Sequence, residues 1–197
     1  MKLVVATRNP GKLREIRRIL EGAAVEVVSA ADAGAPEVVE DGDTFEANAR
    51  KKAEVICGTT GLPALADDSG LEVDALGGAP GVFSARFAGE GATDAANNAL
   101  LVERLRGRGG PWTARYRVVM ALAAPGSPTV FSEGTAEGAI VASPRGAGGF
   151  GYDPHFLDPE LGRTFAELSH AEKDARSHRG RALRAILPAI RALGGWC

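Results

Sequence analysis

Residues 3–6, Leu3-Val4-Val5-Ala6, form a short apolar run that predicts a buried strand, and the polar Thr7-Arg8-Asn9 follows at once. Asn9-Pro10 then has the form of a helix start, an N-cap side chain before a proline that lacks only an N–H the first turn does not need. Leu13, Ile16 and Leu20 recur at helical spacing with Arg14, Arg17 and Arg18 between them, so this helix has one face for a core. Val25-Glu26-Val27-Val28 predicts the next strand, and an acid-rich loop leads on to Glu40-Asp41-Gly42-Asp43. Thr44 opens a second helix to about Ile56, with Phe45, Ala49, Ala53 and Ile56 on one side. Residues 62–66 and 71–75 are apolar or alternating, and Asp67-Asp68-Ser69-Gly70 between them reads as a turn joining two strands.

Further on, Gly77-Gly78-Ala79-Pro80-Gly81 predicts a loop, and Thr93 caps a helix that turns Leu101 and Leu105 inward. Residues 115–123 and 129–142 are the longest strand candidates, separated by Pro125-Gly126-Ser127-Pro128. A glycine-rich loop at 146–151 precedes Tyr152-Asp153-Pro154. Ser169-His170-Ala171-Glu172 fits a capping box opening a short helix. A last helix from about Arg179 carries Leu183, Ile186, Leu187 and Ile190, with a kink expected at Pro188. The pattern is mixed α/β, without internal repeats, and predicts a single domain over residues 1–197.

Composition narrows the function classes. A hydrophobic content of 45% and a charged content of 24% are those of a soluble globular chain with one sizeable core. A net charge of -2 leaves no basic surplus for bulk binding to nucleic acid, so no nucleic-acid partner is expected. Cys57 and Cys197 have no metal-ligand spacing and no disulfide framework, which predicts a reduced, cytoplasmic setting. Residues 1–6 are too short for a signal peptide and no run has the length of a membrane span, so no membrane partner is expected. Trp112, Trp196 and Cys57 are assigned to packing.

The chemistry concentrates in four places. Adjacent acids at the end of a buried strand are costly unless a cation or hydrogen bonds hold them. Asp67 and Asp68 therefore suggest a divalent metal, and oxygen ligands of this kind suit Mg2+ shared with substrate phosphates. Glu40 is a candidate second acid of that site, and one carboxylate can serve as base for an attacking water; the same residues could equally be a surface acid and an Asx turn. Thr7, Arg8, Asn9, Pro10, Gly11 and Lys12 make a helix N-terminus that attracts phosphate, without the Walker pattern, although an ordinary cap with a solvated lysine looks the same. Phe150-Gly151-Tyr152-Asp153 offers an aromatic face for a base beside flexible glycine, or else a tight turn with Phe150 in the core. Lys173, His178 and Arg179 place three donors near one helix junction, fit to read a base edge or to stay solvated.

Taken in order, these segments resemble the Ham1/RdgB family of inosine triphosphate pyrophosphatases. The resemblance rests on Ala6-Thr7-Arg8-Asn9 with Lys12, Thr44-Phe45-Glu46-Ala47-Asn48-Ala49, Ala66-Asp67-Asp68-Ser69-Gly70-Leu71, Leu76-Gly77-Gly78-Ala79-Pro80-Gly81 and Ser84-Ala85-Arg86. It continues through Gly149-Phe150-Gly151-Tyr152-Asp153-Pro154, Ala166-Glu167-Leu168, Glu172-Lys173 and Ser177-His178-Arg179-Gly180, nearly the whole chain. It implies an ITPase-like α/β fold with a long mixed central sheet flanked by helices, and two lobes with an active-site cleft between them. It also implies a homodimer and a Mg2+-dependent cleavage of ITP, dITP or XTP to the monophosphate and pyrophosphate. By the same resemblance Asp68 is the catalytic acid and a metal ligand, and Glu40 is a second metal-side acid. Thr7 through Lys12 hold the triphosphate, Ser69 is a substrate contact, Phe150 through Asp153 form part of the nucleoside pocket, and Lys173, His178 and Arg179 lie at the base or its neighbourhood. Two other readings stay open: a Maf-type pyrophosphatase with different base specificity, and a nucleotide-binding module without turnover.

Overall fold

The computed structural model describes residues 1–195, so the packing assignment of Trp196 and any role of Cys197 fall outside the described residues. In chain order the elements are β1 (Lys2–Val5), α1 (Pro10–Ile19), β2 (Glu26–Ser29), α2 (Phe45–Thr60), β3 (Ala64–Val73), α3 (Asp94–Leu105), β4 (Trp112–Ala123), β5 (Val130–Ile140), β6 (Phe156–Asp158), β7 (Arg163–Thr164), α4 (His170–Arg176) and α5 (His178–Leu193). Short 3₁₀ turns at Asp74–Leu76 and Gly81–Arg86 follow β3. The strands form one seven-stranded mixed sheet in the order β2-β1-β3-β4-β5-β6-β7. β1 runs parallel to both β2 and β3, whereas β6 is antiparallel to β5 and β7. Among the described residues no helix is long and apolar enough to cross a membrane.

By its internal contacts the chain divides into two compact units, and β3, β4 and β5 each pass from one into the other. The first unit comprises Met1–Asp68, Val118–Gly134 and the chain from Arg179 onward. Its core joins Leu3, Val5 and Leu65 of the parallel strands to Val118, Met120 and Leu122 of β4, covered by Ile16 and Leu20 from the α1 region and by Leu183, Ile186 and Ile190 of α5. The expected stripes of both helices are therefore the faces that pack, and α5 continues as one element through Pro188. The second unit comprises Ser69–Arg117 and Thr135–His178. Its core gathers Leu71 and Val73, Leu101 and Leu105 of α3, Tyr116, and the rings of Tyr152, Phe156 and Phe165. Trp112 packs at the edge of that core and Cys57 is buried, in keeping with the packing roles assigned to them.

The caps fall where they were expected: Thr44, Thr93 and Ser169 each accept from a first-turn backbone N–H, and Glu172 completes the capping box of α4. One expectation is corrected. Asp67-Asp68-Ser69-Gly70 is no turn; it lies inside the continuous strand β3, which ends at Val73, so that Ala75 falls in the following 3₁₀ turn. Gly70 misleads because it serves close approach instead of a bend. A Cβ there would collide with the Gly81 carbonyl and approach Ser84 Oγ to 2.6 Å. Ser84 Oγ in turn accepts from Leu71 N at 2.8 Å and donates to Gly81 O at 2.6 Å, stitching the neighbouring segment onto the strand.

Candidate active site

With Asp67 and Asp68 inside a strand, their side chains leave on opposite faces of the sheet. Both are nearly inaccessible, at 1% and 6% exposure, so each must find its own compensation. Asp67 shares the face of Leu65, against α1 and α5, and its Oδ2 accepts from Lys12 Nζ at 3.0 Å and from Arg179 Nε and Nη2, each at 3.3 Å. Arg179 is 2% exposed and forks: its Nη1 donates to Glu15 Oε2 at 2.5 Å, one turn beyond Lys12 on α1. Burial alone would raise the Asp67 carboxyl, but Lys12, Arg179 and Lys52 together hold it well below the ordinary carboxylate range. Asp67 is a fixed anion.

Asp68 differs. Its Oδ2 accepts from Asn48 Nδ2 at 2.9 Å, and Asn48 also bonds both backbone groups of Gly42, so α2 ties the acid-rich loop to β3. One turn along α2, Lys52 Nζ donates to the Asp67 carbonyl at 2.6 Å and pairs with Glu40 Oε2 at 3.0 Å. Burial pushes the Asp68 carboxyl up to about 6; the Glu40 charge adds to the rise, while Lys52, Lys12 and the Asn48 hydrogen bond oppose it. A carboxylate poised near neutrality can take and release a proton at working pH, as a general base must.

At the start of α1, Asn9 Oδ1 accepts from Gly11 N (2.8 Å) and Lys12 N (3.2 Å), Leu13 N bonds Asn9 O (3.1 Å), and Pro10 has no N–H. The first-turn donors are thus engaged in the cap, which leaves the Lys12 ammonium and the helix dipole as the attractions for an anion. Thr7 Oγ1 accepts from Asn9 N at 3.2 Å, while Arg8 is exposed and sits 3.6 Å from Glu37.

The second unit holds the other predicted residues. Asp153 Oδ2 accepts from Phe150 N at 2.9 Å and from Lys173 Nζ at 2.5 Å, and that ammonium lies 4.6 Å from the Phe150 ring centroid. Gly149 is required here, since its φ is +74° and a Cβ would run into the Asp153 carboxylate. Gly151 N donates to Asp94 Oδ2 at 2.6 Å, its carbonyl accepts from Asn98 at 2.8 Å, and Tyr152 Oη donates to Ser84 O at 2.8 Å. The His178 ring stacks on Tyr116, 4.7 Å between centroids with 14° between planes. Ser69 follows Asp68 on β3, half-buried.

The predicted residues therefore fall into two constellations: Thr7 to Lys12, Glu40, Asp68 and Arg179 in the first unit, and Ser69, Phe150 to Asp153, Lys173 and His178 in the second. Arg179 is held within the first unit by Asp67 and Glu15. Glu15, Asn48 and Lys52 were not anticipated as site residues. Asn48 and Lys52 had a signal, since they sit four apart on the face of α2 that also buries Ala49, Ala53 and Ile56. Among the described residues no three His, Cys, Asp or Glu side chains cluster as a metal-binding group. Two hard carboxylates, Glu40 and Asp68, still suit Mg2+, which usually takes one or two from protein and the rest from water and phosphate, and a cation would relieve the repulsion between them.

Comparison with known proteins finds relatives along nearly the whole chain. The family model described as "Ham1 family" matches residues 3–189. A dITP/XTP pyrophosphatase of Geobacter sulfurreducens is 56% identical over 186 residues, 92% of each chain. Among solved structures, a HAM1 protein from Coxiella burnetii superposes with a TM-score of 0.88 at 40% identity, covering 98% of this chain and 99% of its own. A nucleoside-triphosphatase / dITP/XTP pyrophosphatase from Mycobacterium abscessus gives a TM-score of 0.75 at 49% identity, covering 95% of this chain and 100% of its own. A match this long, over residues 3–189 for the family model and 186 residues for the relative, makes this chain a member of the Ham1 family.

Proposed function

We propose that this chain is a pyrophosphatase that hydrolyses non-standard purine nucleoside triphosphates (ITP, dITP and XTP) to the monophosphate and pyrophosphate, clearing deaminated purines from the nucleotide pool. The observation that carries the reading is Asp68: a buried carboxyl poised near 6, beside lysines that an anionic substrate needs. Asp68 orients and deprotonates the water that attacks the α-phosphorus. Lys12 and Lys52, both largely buried, supply positive charge to the phosphates where little water screens it. Glu40 and Asp68 would hold Mg2+, which supplies charge neutralisation on the phosphates when bound. Phe150, braced by Lys173 and Asp153, offers its face to the base.

Selectivity follows from hydrogen-bond sign. Hypoxanthine and xanthine carry an acceptor at C6, whereas adenine carries a donor. A lysine is donor-only and a protonated ring nitrogen of histidine donates as well, so Lys173 or such an N–H of His178 facing adenine's amine leaves two donors opposed; a site built on such bonds rejects the wrong analogue by roughly 10⁴–10⁵. A homodimer and a cytoplasmic location belong to the same proposal. The test is pyrophosphate release with Mg2+ from dITP and XTP against dATP, dGTP and dTTP. Release confined to dITP and XTP is expected. Release chiefly from dTTP, or equally from all five, would move the chain to another specificity, and binding without release would make it a nucleotide sensor.

A further inference from the structure

We propose that Glu15 is a positioning residue for the phosphate-binding lysine: through Arg179 it fixes Asp67, and Asp67 fixes Lys12. The inference rests on the reading that Lys12 meets the substrate phosphates. Glu15 lies on α1 three residues after Lys12, on the same helix face, and is 5% exposed. The buried guanidinium of Arg179 is divided between two carboxylates, with Nη1 on Glu15 and Nε and Nη2 on Asp67. Asp67 Oδ2 is itself divided between Arg179 and the Lys12 ammonium. Glu15, Arg179, Asp67 and Lys12 thus alternate in sign along one chain of contacts, and each carboxylate sets how tightly the next cation is held.

Anchoring α1 does not need this arrangement. Ile16 and Leu20 already seat the helix on the sheet, and apolar side chains of similar size generally stabilise a buried site as well as an ion pair does. What the ion chain adds is a fixed place for the Lys12 ammonium. Neutralising Glu15 removes one of the two carboxylates that share the Arg179 guanidinium. The guanidinium then claims Asp67 Oδ2 more fully, and Lys12 loses the partner that aims it. The cost appears in phosphate affinity, with the base-reading residues untouched.

The experiment compares Glu15→Gln with the wild-type chain by calorimetric binding of inorganic tripolyphosphate with chelator present, and by kcat and KM on dITP with Mg2+. Tripolyphosphate affinity is expected to fall about tenfold, within the range for couplings inside one ion-pair network, and KM for dITP to rise by a similar factor with kcat within about twofold. In a Lys12→Met background, Glu15→Gln is expected to have no further effect on tripolyphosphate binding. An unchanged tripolyphosphate affinity with a lowered Tm, or full additivity with Lys12→Met, would reduce Glu15 to an anchor of the helix. If Glu15→Gln does not fold, Glu15→Asp keeps the charge but shortens the reach, and the same direction is expected. Wild-type turnover of dITP checks the hydrolytic reading separately: a chain that binds tripolyphosphate through Glu15 and Lys12 yet cuts nothing would overturn that reading alone.

Discussion

The two constellations are built from opposite materials. In the first unit, Glu15, Glu40, Asp67 and Asp68 interleave with Lys12, Lys52 and Arg179, most of them buried. In the second, the buried pair of Asp153 with Lys173 braces Phe150, while Tyr116 carries the His178 ring. Dense charge in a dry setting suits a highly charged group that must be bound and cut. A flat ring with a few directed hydrogen bonds suits a base that must be recognised and released. Within the first constellation the contrast repeats: Asp67, surrounded by cations, is fixed as an anion, and Asp68, one residue away on the other face, is left able to exchange a proton.

The sharpest break is at Asp68. Asp68→Asn is expected to lower kcat by roughly 10²–10⁴, the usual cost of losing a general base, with the fold intact by circular dichroism. Arg179→Met comes next, in stability. Leaving Glu15 and Asp67 buried without their shared cation costs about 3–5 kcal/mol, read from the denaturation midpoint. Phe150→Ala is expected to raise KM for dITP by about 10-fold or more, since stacking contributes about 1–3 kcal/mol per base, while tripolyphosphate binding stays as in the wild type.

A smaller effect concerns pH in the metal-free protein. The folded pKa of Asp68 lies above the ordinary value, so the folded state binds that proton more tightly than the unfolded chain. The buried carboxylate therefore destabilises above pH 6, and the penalty is relieved as pH falls through about 6. Asp68→Asn should stabilise the metal-free chain by about 1–2 kcal/mol at pH 8 and by almost nothing at pH 4, as measured by thermal denaturation. Arg8→Ala should be the smallest change. Its exposed contact with Glu37 at 3.6 Å leaves Tm within a degree or so.

Much of this was legible in the sequence. The caps at Asn9, Thr44, Thr93 and Ser169 are local signals, set by the residues that make them, and all four hold. The apolar stripes of α1 and α5 are likewise local patterns. Asp67-Asp68-Ser69-Gly70 failed as a turn because the reasons for its extended form lie far along the chain, with Lys12, Lys52 and Arg179 satisfying the acids and Ser84 packing against Gly70. Arg179 could not be separated from His178 by sequence, since neighbouring residues at a helix start project in different directions. Glu15 looked like one more polar residue among the arginines of α1, and only its partner 164 positions away makes it part of the site.

The division of labour is tested most directly by the ratio of kcat/KM for dITP to that for dATP, measured in Lys12→Met and in His178→Ala. Lys12→Met is expected to lower both values together and leave the ratio as in the wild type, because both substrates carry the same triphosphate. His178→Ala is expected to collapse the ratio while retaining most of the affinity for tripolyphosphate. A ratio that falls in Lys12→Met and survives in His178→Ala would contradict the assignment of phosphate to the charged constellation and base to the aromatic one.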